Sequence, residues 1–295
     1  MTADAHEQSE AVGPPIDLHF RPQSQSAALP VETFRRRELL GRLPDAHFRR
    51  RQRAHFHQLV VCVEGAGHHV VDFERFALSP GAVLRIRPGQ NQQFDLDGDP
   101  ECLVVVWPPE SDPVEPWREP WFPGSSESVW TELSLEQLAR VRTLVGELAT
   151  EQVAFDGTRR QIELMKSLLR AVLLLIEGVD GRVGRAAEVM PQPYLDLRAA
   201  LERELYARPS VASLASALGY STRTLDRACG AVSGQTARQV IDERMALELR
   251  RRLADETVSL ADVRRSFGFD DTSNFTKFVR RHLGRSPADV RTAPL

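Results

Sequence analysis

Apolar positions change their rhythm twice along this chain. Between about Phe56 and Trp107 they come in short runs, "FHQLVVCV", "GHHVVDF", "AVLRIRPG", "QQFDL" and "CLVVVW", cut apart by Gly, Pro and Asp. Short β-branched runs between turn-formers predict strands, and several strands at this spacing predict a small barrel or sandwich. Beyond a Pro/Trp-rich connection, Pro108 to Pro123, the period lengthens. Leu135, Leu138, Val141, Val145 and Leu148 recur at three- and four-residue steps, as do Ile162, Met165, Leu169, Val172 and Ile176. That is the period of a helix, and the breaker "FDGT" at 155–158 predicts an αα-hairpin. A Gly/Arg/Pro linker, Gly178 to Pro193, follows. From Tyr194 onward the pattern predicts helices of roughly 8–20 residues.

Within the last third the pattern repeats. "LASALGYSTRTLDRACGAVSGQTA" (214–237) aligns with "VRRSFGFDDTSNFTKFVRRHLGRSP" (263–287), Gly219 on Gly268, Tyr220 on Phe269, Leu225 on Phe275 and Gly234 on Gly284. The unit is short helix, glycine turn, second helix, glycine turn, which is a helix-turn-helix. The glycine ahead of the aromatic supplies a positive φ between the helices. Ser221 and the pair Asp270–Asp271 are N-cap candidates. Leu225, Ala228, Cys229 and Val232 form the inner face of one second helix; Phe275, Phe278, Val279 and His282 form that of the other. The outer faces carry Thr222, Arg223, Asp226 and Arg227 in one copy, and Thr272, Ser273, Asn274, Thr276 and Lys277 in the other. Short hydroxyls and amides at a helix start reach base edges, and arginine pairs bidentately with guanine.

Charge supports a polyanionic partner for this end. Residues 191–295 hold 17 Lys+Arg against 13 Asp+Glu, whereas residues 1–190 hold 21 against 28. A net of +4 rides on a net of −7, and charge asymmetry of this kind is an electrostatic footprint. Arg238, Arg280, Arg281 and Arg285 are candidate phosphate contacts. Cys62, Cys102 and Cys229 each sit in an apolar pattern, which predicts buried free thiols. The first thirty residues show no apolar core of a signal peptide, and the longest aliphatic run, "AVLLLI" at 171–176, is too short for a membrane span. A cytoplasmic protein without a membrane partner is expected.

Residues 194–292 resemble the DNA-binding domain of AraC/XylS transcriptional regulators, and "GFDDTSNFTKFVRRHLGRSPADVR" follows the family signature through Arg291. The resemblance implies two helix-turn-helices flanking a connecting helix, seven helices in all, with base reading by the outer-face residues named above. One departure stands out. Arg264 occupies the place of a small alanine, which the first copy keeps as Ala215. A long side chain at a close helix crossing is expected to tilt the second recognition helix.

"VDFERFALSPGAVLRIRPGQ" is similar to the cupin sensor half of many such regulators, over residues 35–107. Metal-holding cupins use a His-x-His pair, a glutamate and a third histidine. Here "HFH" supplies His55 and His57, but Val61 and Cys62 stand at the glutamate position and Gln92 at the third histidine. With half the ligand set missing, no metal or other cofactor is expected, and His55, His57 and Gln92 become candidates for an effector pocket. The resulting fold class is α+β and multidomain: an N-terminal cupin-like β-barrel with a helical hairpin, then an all-α double helix-turn-helix domain. A disordered tail (1–30), an effector or sensor domain (31–123), a hairpin that pairs subunits into a homodimer (124–178), a linker (179–193) and the DNA-binding domain (194–292) are expected. The reading is a sequence-specific regulator of double-stranded DNA, controlled by a small molecule, without catalysis, and meeting RNA polymerase when it activates. Its rivals are a cupin metalloenzyme with a helical interaction domain, and a regulator whose barrel binds nothing and answers to a protein partner.

Overall fold

The structure, a computed structural model, describes residues 16–21, 29–40, 50–111, 130–177 and 191–292. In chain order the strands are β1 (Ile16–Leu18), β2 (Glu32–Arg35), β3 (Gln52–Ala54), β4 (His57–Glu64), β5 (Gly67–Val71), β6 (Glu74–Leu78), β7 (Ala82–Ile86), β8 (Asn91–Gly98), β9 (Glu101–Trp107) and β10 (Trp130–Glu132). A short helix, α1 (Arg36–Leu40), follows β2. One five-stranded sheet runs β1-β3-β8-β5-β6 and the other β10-β7-β4-β9-β2. The two face each other, and their inner side chains form a barrel core. Val60, Cys62, Val71, Phe76, Leu84 and Ile86 fill one part of it, and Ala54, Phe56, Val104 and Val106 another.

Strand β1 lies in the tail expected to be disordered. It pairs in parallel with β3, Ile16 opposite Gln52 through Leu18 opposite Ala54. Leu18 and Phe20 then pack against the Ala54–Phe56 cluster, which gives this segment apolar surface to bury. The rest of the tail up to residue 28, most of the connection at 108–123, and the linker through residue 190 lie outside the described residues.

Two long helices, α2 (Leu135–Val153) and α3 (Arg159–Glu177), cover the outer face of the second sheet. Ser134 caps α2 through a capping box with Gln137. The stripes Leu138, Val141, Val145, Leu148 and Met165, Leu169, Val172 are buried against Leu59, Val61, Val105 and Trp107. These stripes are thus part of the chain's own core. The second sheet is apolar on both faces, and the hairpin is what shields its outer one.

Seven α-helices follow: α4 (Gln192–Glu204), α5 (Val211–Leu218), α6 (Thr222–Ser233), α7 (Ala237–Leu253), α8 (Leu260–Ser266), α9 (Thr272–Leu283) and α10 (Pro287–Thr292). They share one core, and α7 runs through its middle with Val240, Ile241, Met245, Leu249 and Leu253 buried on several sides. Among the described residues, no helix is long and apolar enough to cross a membrane.

Candidate DNA interface and effector cavity

Each copy of the repeat folds the same way because its glycine and caps fall at matching places. Gly219 has φ 73° and Gly268 φ 65°, values that glycine adopts without strain. The amide after each reaches back to the same carbonyl, Tyr220 to Ala215 (2.8 Å) and Phe269 to Arg264 (3.1 Å). Ser221 then caps α6 on the Thr224 amide, and Asp271 caps α9 on that of Asn274. Both second helices pack their inner faces on α7. Leu225, Ala228 and Cys229 are buried on α6, as are Phe275, Phe278 and Val279 on α9.

The opposite faces are exposed. Thr222, Arg223, Asp226 and Arg227 project from α6, and Thr272, Ser273, Asn274 and Lys277 from α9, with Thr276 half-buried. Two of these side chains are engaged within the fold. Asp226 accepts from the Ala237 amide (2.9 Å), a first-turn N–H of α7 that has no partner inside the helix. Asn274 donates to its cap, Asp271, at 2.6 Å. Of the phosphate candidates, Arg280, Arg281 and Arg285 are exposed, while Arg238 holds Asp242 on the next turn of α7 at 2.8 Å.

Arg264 does not wedge the helices apart. Its guanidinium donates to the carbonyls of Phe269 and Asp270, the latter at 2.6 Å, and so ties down the turn that leads into α9. The expected tilt assumed that the side chain lies in the helix crossing; its length instead carries the charge to two turn acceptors.

Between the two sheets lies a cavity of about 250 Å³. Leu18, Phe20, Phe34, Phe56, Phe94 and Val106 give it an apolar wall, while Glu32, Gln52, Gln58 and Gln92 supply buried polar groups. Of the three residues expected in an effector pocket, Gln92 alone lines it. His55 stands half-exposed, stacked on His19 and bonded to Asp17 at 2.9 Å. His57 points to the other face of β4 and stacks on Trp107 under the helical hairpin. Burial there, with Arg85 and Arg87 nearby, holds its imidazole at about 3. The histidine that does reach the cavity's polar groups is His69, fully buried on β5 and 3.1 Å from Gln92. Among the described residues, no cluster of three or more His, Cys, Asp or Glu side chains is placed to hold a metal ion.

The barrel is seated on α7. Arg251 binds Asp72, in the β5–β6 turn, with two parallel hydrogen bonds and turns its remaining nitrogen to Glu248 at 3.2 Å. Next to it the Arg250 guanidinium lies 3.8 Å over the ring of Phe73. Arg53 of β3 approaches Glu248 at 3.9 Å. Burial alone would push the Glu248 carboxyl up, but Arg251, Arg244 and Arg53, with the Tyr206 hydroxyl, hold it at about 2.

One ladder joins this junction to the cavity. Strands β3 and β8 pair Gln52 with Gln92 and Arg53 with Asn91. Alternate residues of a strand face opposite ways. Gln52 and Gln92 line the cavity. Arg53 and Asn91 face the junction, where the Asn91 amide and the Gln90 carboxamide both donate to Asp72.

A two-sheet barrel with a small cavity, joined to a double helix-turn-helix, defines a ligand-binding transcriptional regulator. The chain belongs to the AraC family of such regulators: the AraC-like ligand binding domain matches residues 39–222 and a helix-turn-helix domain matches residues 214–293. It is similar to the HTH-type transcriptional activator RhaS of Enterobacter sp. (strain 638), at 26% identity over 85% of this chain and 90% of the relative. RhaS of Salmonella arizonae is 27% identical over the same shares. Among solved structures, ToxT from Vibrio cholerae O395 overlaps 81% of this chain and 91% of its own at 8% identity and a TM-score of 0.40. The AraC-like transcriptional activator CuxR overlaps 73% and 72% at 11% identity and a TM-score of 0.29.

Proposed function

We propose that this chain is a cytoplasmic, non-catalytic regulator whose affinity for a specific double-stranded site is set by a small molecule in the barrel cavity. The β3–β8 ladder carries this reading: a group entering the cavity presses on Gln52 and Gln92, whose immediate neighbours meet α7, Arg53 at Glu248 and Asn91 through Asp72, which Arg251 grips. Since α6 and α9 both pack on α7, a shift there changes how the two recognition helices present themselves together. Arg223 and Arg227 on α6 and Thr272, Ser273, Thr276 and Lys277 on α9 are the base-side groups, with Thr222 and Asn274 at the helix starts. Arg280, Arg281 and Arg285 supply phosphate contacts. The likeness to RhaS favours an activator that meets RNA polymerase at the promoter. It works as a homodimer, and because the buried stripes of α2 and α3 are used internally, outward side chains such as Leu164 and Leu174 are left to meet a second subunit.

The test selects DNA bound by the full-length chain from a random pool and titrates that site against a scrambled one. Preference for the selected site by a hundredfold or more is expected. Equal affinity for both would end the reading.

A further inference from the structure

Three buried side chains form a directional chain that ends in the cavity. The Gln92 Nε2 donates to the Gln58 Oε1 at 2.9 Å, so the Gln92 Oε1 is left to accept. It meets the His69 Nε2 at 3.1 Å, which must therefore carry the proton. Gln58 has then used its oxygen, and its Nε2, buried on a residue that lines the cavity, has no hydrogen-bond partner. Gln58 is 3% exposed. A buried N–H donor without an acceptor is costly, and a site built to bond one rejects analogues that lack the matching atom.

We infer that the cavity takes an uncharged, single-ring or comparably small apolar carbonyl compound, whose oxygen accepts from the Gln58 Nε2 while its body packs among the phenylalanines. The inference rests on the effector reading above and names the chemistry of that ligand. Size follows from volume: an apolar cavity of about 150 Å³ holds one benzene ring, and about 250 Å³ adds room for a short substituent. Phe20, Phe34, Phe56 and Phe94 offer ring faces and edges to a flat body. Charge is selected against from within the same wall. Glu32 is buried there and offers a carboxylate no counter-charge, while Arg21, the cation in the lining, is exposed and screened by solvent. An ammonium group would set donor against donor at the Gln58 Nε2 and so cannot make the bond that a carbonyl oxygen makes there.

The probes are acetophenone, ethylbenzene, benzoate and 1-phenylethylamine, titrated calorimetrically into the full-length protein and into Gln58→Leu. The variant's melting curve without ligand serves as the folding control. Acetophenone is expected to bind about tenfold or more tighter than ethylbenzene, which differs by the oxygen alone. Benzoate and the amine should do no better than ethylbenzene, and Gln58→Leu should erase the acetophenone advantage. Equal binding of acetophenone and ethylbenzene, tightest binding by benzoate or the amine, an advantage that survives in a folded Gln58→Leu, or no binding of acetophenone would each overturn the inference. If Gln58→Leu fails to fold, Gln58→Glu, which places an acceptor where the donor was, gives the second reading: acetophenone should lose its advantage there too. Titration on the selected DNA separates the two levels. Specific DNA binding without acetophenone binding rejects the ligand class and leaves the regulator standing, whereas loss of DNA specificity rejects the regulator itself.

Discussion

Arg251 grips Asp72 through paired hydrogen bonds, Nε to Oδ1 and a terminal nitrogen to Oδ2, each 2.8 Å long. The arginine is fully buried, and Asp72 with Glu248 more than offsets the desolvation that opposes its charge. Removing one partner strands the other charge, which is far more damaging than removing both. Asp72→Ala should therefore destabilise the protein by about 3 kcal/mol in urea denaturation, and Asp72→Ala with Arg251→Met should recover most of that loss. Equal stability of the single and double variants would show that the pair contributes no buried charge of consequence.

The two arms of α6 should separate cleanly. Arg227→Ala removes a guanidinium fork and should relax specificity at one base position by about 1–3 kcal/mol. Asp226→Ala removes the acceptor for the Ala237 amide and should lower stability by about 1 kcal/mol with base preference unchanged. A base-substitution scan with both variants, beside their melting curves, reads the difference.

Lys277 is exposed on α9 and carries a point charge suited to phosphate. Lys277→Ala should weaken all sequences about evenly and lower the slope of log affinity against log salt by about one unit. A loss confined to one base position would make it a reader instead.

Arg264→Ala should loosen the second turn by freeing the carbonyls of Phe269 and Asp270. Melting temperature and DNA affinity should both fall, by about 1–2 kcal/mol in stability given the partial exposure of the site. Amide hydrogen exchange should rise at the start of α9 before it rises in α6.

His57 predicts an acid limit. Its imidazole titrates near 6.5 when unfolded and at about 3 in place, so the unfolded chain takes up a proton that the native chain refuses. Its contribution is intact above pH 6.5 and is lost progressively as pH falls towards 3. At pH 5 that amounts to about 2 kcal/mol. His57→Phe should remove this part of the decline in melting temperature between pH 7 and pH 5.

The double helix-turn-helix was legible because its marks are local: a glycine before an aromatic, a cap, and apolar steps of three and four all lie within about twenty-five residues. The cavity was not. β4 is buried on both faces, under the hairpin on one side and around the cavity on the other, so "HFHQLVV" has no apolar–polar alternation to reveal which residues point inward. His57 and Gln58 differ by one step in strand parity, and that step decides between Trp107 and the cavity. The barrel–α7 junction is more distant still. Asp72 reads as a turn residue and Arg251 as part of the basic run 250–252, and 179 positions separate them.

The β3–β8 ladder divides labour by odd and even position. On the proposed function, substitutions at Gln52 and Gln92 would alter what the barrel recognises, and those at Arg53 and Asn91, one peptide away, would alter how firmly it sits on the DNA-binding half. A lineage with that arrangement could acquire a new inducer while its transmission hardware stays fixed, or retune its response while keeping its inducer. The pleat of a single strand pair is enough to make the two traits separately heritable.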